Sequence, residues 1–140
     1  MAEALKLRAE DEDDVAVLST VLQDALVPVA EMIYLPDERR FVLVANRFRW
    51  EGQEVERTLA GLCVDQVARV QRRGFSPGDA DRILVLLAIR AESGALYLEF
   101  AGGGSIRLEV EGIACRLDDL GEPWPTRWRP RHAVGENEGR

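Results

Sequence analysis

Four groups of residues in this sequence have types and spacings that could bind a ligand or do chemistry. Arg47 and Arg49, with Trp50 beside them, sit at i and i+2. On a strand that spacing puts both guanidiniums on one face about 7 Å apart, enough to clamp a carboxylate or phosphate. Arg39 and Arg40 add positive charge at the other end of the same stretch. The competing account is a solvated face whose arginines pair with Glu51, Glu54 or Glu56 across the next turn. A second group is Trp124 and Trp128 with Arg127, Arg129 and Arg131, in a proline-rich segment. Two tryptophans four apart need shelter, either on the chain's own sheet or against a protein partner or second copy, since Trp and Arg dominate interface hot spots.

The triple glycine Gly102-Gly103-Gly104 is the third group. Glycine-rich loops hold phosphates where a strand runs into a helix N-terminus, but here a strand pattern follows, so a hairpin connection is expected. Asp65, alone among apolar residues, is the fourth; an acid at such a place usually bonds local backbone N–H groups at a bulge. The paired acids Asp118-Asp119 and Asp79 with Asp81 fit ordinary loop positions. With His132 as the sole histidine and placed in a polar tail, neither a Ser–His–Asp nor a Cys–His arrangement is expected.

Composition narrows the function classes. Cys63, Cys115 and His132 supply three soft ligands where structural zinc wants four, so no metal site is expected. The cysteines read as small apolar core residues, not a disulfide, and no cofactor is implied. The net charge is −7, with two basic and ten acidic side chains in residues 1–38 and 16 basic and 15 acidic ones in the rest. The body is thus near neutral and lacks the basic footprint of a nucleic-acid binder. The longest apolar run, Ile83 to Ile89, is seven residues, far short of the roughly 20 a membrane helix needs. The N-terminus has no secretory pattern, and a cytoplasmic location is expected.

These candidates must be carried by a sheet. Leu5 and Leu7 alternate with Lys6 and Arg8 as a short strand. Val15, Leu18, Val21, Leu22, Ala25 and Leu26 then recur at helical spacing, with Asp11 placed to cap and Pro28 to end the helix. The run Glu10-Asp11-Glu12-Asp13-Asp14 meets the positive end of the helix dipole; its side chains diverge too much to hold one ion. Residues 29–35 read as a strand, Pro36 to Arg39 as a turn and Arg40 to Trp50 as the return strand. Phe41 to Ala45 is apolar on both faces, as in a central strand. Residues 57–72 fit a bent strand or two short ones, because Gly61 and β-branched residues disfavour a helix; a helix over 64–73 is the alternative.

The run Ile83 to Ile89 is again apolar on both faces. Leu96, Leu98 and Phe100, then Ile106, Leu108 and Val110, alternate with polar residues as a half-buried antiparallel hairpin. Ile113, Cys115 and Leu117 either continue the ladder or begin a short helix. Beyond Gly121 no regular structure is expected. The prediction is an α+β domain over residues 1–122: a curled antiparallel sheet of about seven or eight strands, a roll or partly closed barrel, with one N-terminal amphipathic helix. Residues 123–140 form an extended Trp/Pro/Arg segment and a disordered tail.

The stretches Asp24-Ala25-Leu26-Val27-Pro28, Arg40 to Glu51 and Gly104 to Val110, with Trp124 after them, follow a recognisable order. The sequence resembles a family of short proteobacterial proteins of unknown function, over residues 4 to about 132. That resemblance implies a bacterial, cytosolic, stand-alone domain and assigns no activity, cofactor or catalytic residue. The expected function is therefore non-enzymatic binding or adaptor work through Arg47, Arg49 and Trp50, or through Trp124, Trp128 and Arg129. The alternative is a small metabolite-binding protein or enzyme with a pocket in the sheet roll, tested first at Asp65 and Arg47.

Overall fold

The computed structural model describes residues 4–52 and 54–125. Strand β1 (Lys6–Ala9) leads into helix α1 (Glu12–Val21). Asp11 caps the helix by accepting a 2.8 Å hydrogen bond from the Asp14 N–H, and Glu12, Asp13 and Asp14 occupy its first turn. The helix stops seven residues before Pro28, earlier than its apolar stripe suggests. Leu22 closes it and Asp24 turns into the left-handed region (φ 65°), so Ala25 and Leu26 leave the stripe and start a strand.

Nine further strands follow: β2 (Leu26–Pro28), β3 (Met32–Leu35), β4 (Arg40–Phe48), β5 (Glu56–Val64), β6 (Val67–Arg73), β7 (Ile83–Glu92), β8 (Ala95–Phe100), β9 (Ser105–Val110) and β10 (Cys115–Pro125). The count exceeds the expected seven or eight for two reasons. A 3₁₀ turn at Val29–Glu31 cuts the expected strand at 29–35 and separates β2 from β3. The segment after Ala114 is one long strand. Residues 57–72 form two strands, β5 and β6, joined through Asp65 and Gln66 (φ 62°), so the helix alternative over 64–73 does not occur.

Regular structure also runs past Gly121: Trp124 pairs with Arg57 and Pro125 with Glu56. Two prolines are tolerated because β1 pairs only with residues 115–118, which leaves the far end of β10 an edge. A register shift between Leu120 and Trp124, with Gly121 at φ 78°, loosens the ladder there. Trp128 and Arg129 lie outside the described residues.

All strand pairs are antiparallel, in the order β1-β10-β5-β4-β2-β7-β8-β9-β6, with β3 also paired to β4. The sheet curls without closing, and β1 and β6 are its two ends. Strand β7 belongs to both halves: Ile83–Val85 pair with β2, and after a shift between Leu86 and Ala88 the rest pairs with β8. The first half is thus β1, β10, β5, β4, β3 and β2; the second is β7, β8, β9 and β6. The predicted hairpin is present, with Leu96 opposite Leu108 and Leu98 opposite Ile106. Its turn uses Gly102 and Gly103 at φ 86° and 94°, a conformation that costs other residues a steric penalty.

The interior is packed. Phe41, Leu43, Leu62 and Leu117 come from the first half, Leu96, Leu98, Ile106 and Leu108 from the second, and Val15, Leu18 and Leu22 from α1; all are buried. The helix packs on β7 and β1, and the Ser19 hydroxyl accepts a hydrogen bond from the Ile89 N–H just past the β7 irregularity. Among the described residues no helix is long and apolar enough to cross a membrane.

Candidate functional site

The arginine pair singled out in the sequence sits at the far end of β4, but not on a solvated face. Phe41, Leu43, Ala45 and Arg47 share the inner row of that strand, so period-2 alternation carries Arg47 into the interior, where it is fully buried. Its Nε and Nη2 donate to the two oxygens of Asp119 at 2.8 Å each. Both terminal nitrogens also reach Glu51, at 3.0 and 2.7 Å. Asp119 faces inward from β10 opposite Ala60, which lies opposite Ala45. These two alanines leave the side chain of Arg47 free to lie across β5.

Asp119 Oδ2 further accepts from the Leu5 N–H at 2.9 Å, so one guanidinium ties together β10, the residue preceding β1 and the turn after β4. Burial opposes the charge on Arg47, but its bonds to Asp119 and Glu51 outweigh that and raise its pKa. The bond from Arg47 lowers the pKa of Glu51. Arg47 therefore spends its donors inside the protein and does not present an open clamp.

Arg49 is also buried and pairs with Glu56 at 2.6 Å and with Glu51 at 3.5 Å. Glu51 and Glu56 are among the expected partners; what the sequence did not show is that both arginines are buried, with Glu51 at the solvent edge of the cluster. Trp50 packs edge-on against Phe48, ring centres 4.8 Å apart, and its indole N–H donates to the Gln23 carbonyl. Trp124 is partly exposed, beside Arg57.

Asp65 lies in the turn from β5 to β6 and pairs with Arg40 at 2.7 Å, at the opposite end of β4 from Arg47. Seven strand residues separate the two ends, about 23 Å, so Asp65 and Arg47 share no pocket. The described depressions lie on the outer surface, and the roll interior between them is filled by the core side chains. Cys63 faces outward and Cys115 inward on neighbouring strands, both as free thiols; burial pushes Cys115 up to about 12.

A feature not legible in the sequence lies on the outer face of the first half. Val85 of β7 is opposite Leu26 of β2, Leu26 opposite Asn46 of β4, Asn46 opposite Leu59 of β5, and Leu59 opposite Leu120 of β10. These outward side chains make one row across five strands, about 20 Å wide at the usual strand spacing. Leu59 is 40% exposed and Leu120 44%; next to the row Ile83 is 62% and Leu87 45% exposed. Val42 and Val44 extend the apolar surface on one side, with Ile33 exposed opposite Val42. The signal was the pair of strands apolar on both faces, Phe41 to Ala45 and Ile83 to Ile89. Both strands are central in the sheet, as expected, and their second apolar row faces outward.

A family model for proteins of unknown function, DUF2948, matches residues 5–132. The chain belongs to the DUF2948 family. No curated protein and no solved structure matches it.

Proposed function

We propose that this chain is a non-enzymatic binding domain that buries the outer face of its first half against a second copy of itself. The observation that carries this reading is the apolar row Val85, Leu26, Leu59 and Leu120, interrupted only by Asn46 and left partly open to solvent. Contiguous apolar patches of several hundred Å² on a protein surface mark interaction sites. Two flat apolar sheet faces pack well at about 10 Å separation. The rim favours a like partner because it carries both signs, with Arg116 and Asp118 on the same outer row of β10, so a two-fold copy meets no net repulsion. Trp124, on the same strand and half-exposed, extends the surface. The filled interior of the roll weighs against the alternative of a metabolite pocket there. A reducing, cytoplasmic setting fits the two free thiols.

Light scattering across a concentration series tests the proposal. The expected result is a dimer that becomes a monomer in the Leu59→Asp/Leu120→Asp variant, with the thermal midpoint of the monomer nearly unchanged because both side chains are exposed. A wild-type chain that stays monomeric at high concentration, or a double variant that still dimerises, overturns it.

A further inference from the structure

The outer face of the second half carries charge in place of apolar side chains, and one part of that charge is unspent. Four strands place Gln71, Arg107, Tyr97 and Arg90 side by side in one row. The Arg90 guanidinium lies 4.2 Å from the Tyr97 ring centre and that of Arg107 5.9 Å. In the next row Arg73 of β6 is opposite Ser105, and Ser105 opposite Glu99. These residues line a depression of about 410 Å³. Arg73, Arg90 and Arg107 bring three guanidiniums to it against the one carboxylate of Glu99, in a chain whose net charge is −7. Arg72, opposite the buried Ile106, belongs to the inner face of β6.

The hydrogen bonds show which donors are already used. Arg90 is committed to Glu99 at 3.0 Å and to Glu92. Arg107 gives Nε to the Tyr97 hydroxyl at 3.1 Å and Nη1 to Gln71 at 3.0 Å, which leaves Nη2 over and the Tyr97 proton free to donate. Of the arginines in this depression, Arg90 and Arg107 have carboxylate partners, whereas Arg73 forms no ion pair among the described residues.

We propose that this depression is an oxyanion site that takes a small, multiply charged phosphate or carboxylate compound between Arg73, Arg107 Nη2 and the Ser105 and Tyr97 hydroxyls. Guanidiniums and hydroxyls converging from adjacent strands supply the bidentate, charge-assisted bonds such anions require. The volume exceeds that of a single phosphate. The competing explanation is that arginines on an end strand merely block edge-to-edge pairing. That explanation treats Arg69, on the same strand but outside the depression, like Arg73.

Calorimetric titration at low salt with inorganic pyrophosphate, and separately with citrate, decides between them. Saturable binding of either anion is expected, weakened at least tenfold by Arg73→Gln and abolished in Arg73→Gln/Arg107→Gln, with Arg69→Gln within about twofold of wild type. Preference for pyrophosphate assigns a phosphate ligand and preference for citrate a carboxylate one. Absence of saturable binding by both anions, or an equal loss in Arg69→Gln, overturns the site. Arg73 is exposed and unpaired, so its variant keeps the fold, which an unchanged thermal midpoint verifies.

Discussion

The two halves of the roll put their charge in opposite places. The second half follows the usual division: Leu96, Leu98, Ile106 and Leu108 point inward, while Arg90 with Glu99 and Arg107 with Glu109 stand outside in water. In the first half the inner row of β4 ends in Arg47, bound to Asp119 out of solvent, and the outer row carries leucine and valine. Ion pairs of similar length therefore have different weights. An exposed pair gains little because water and salt screen it. A buried one has lost its hydration, so either partner left alone is an uncompensated charge. The same contrast divides the possible contact surfaces, apolar on one half and cationic on the other.

The strongest way to break this comparison is Arg47→Ala. It leaves Asp119 inside with only the Leu5 N–H and should cost about 3–5 kcal/mol, measured by urea denaturation. A loss no larger than that of an exposed pair would mean Asp119 finds water, and that Arg47 does not hold β10 and the start of the chain together.

A smaller effect separates the halves by pH. Glu51 titrates near its ordinary 4.5 in the unfolded chain and lower in the fold because Arg47 bonds it. Its contribution is therefore complete above that value and is lost as the pH falls through the folded one. The Glu51→Gln variant should be less stable than wild type at neutral pH, and its urea midpoint should decline less steeply between about pH 5 and pH 3. An unchanged slope would mean that the bond from Arg47 to Glu51 does not hold in solution.

Smallest of all, Arg90→Ala should leave the urea midpoint unchanged within error, because Arg90 and its partners Glu92 and Glu99 are exposed. A clear loss would show that the cation–π row on the second half is structural, and the contrast between the halves would fail.

How much of this was legible depends on the element. The β8–β9 hairpin could be read residue by residue, since strict apolar–polar alternation states both the strand and its buried face. The N-terminal cap of α1 was equally plain, because Asp11 and the acids after it act locally. The C-terminal end of α1 was not: Ala25 and Leu26 continue a helical spacing but belong to β2, and the turn at Asp24 that separates them carries no glycine. Pro123 and Pro125 argued against a strand, and only the short reach of β1 makes that end of β10 an edge where proline fits. Arg47 and Arg49 were found as a pair and their glutamate partners foreseen, yet Asp119, 72 residues away, had no local signature.

By itself the sequence determined the period-2 strands and the capped start of the helix. Both rest on neighbours within a few residues, where backbone geometry alone sets which side chains share a face. Which face of β4 is wet was decided only by the curl of the sheet. Alternation along β4 groups Arg47 with Phe41, Leu43 and Ala45, and it is the packing of the two halves that turns that row inward, brings Asp119 to it and leaves the opposite, apolar row open.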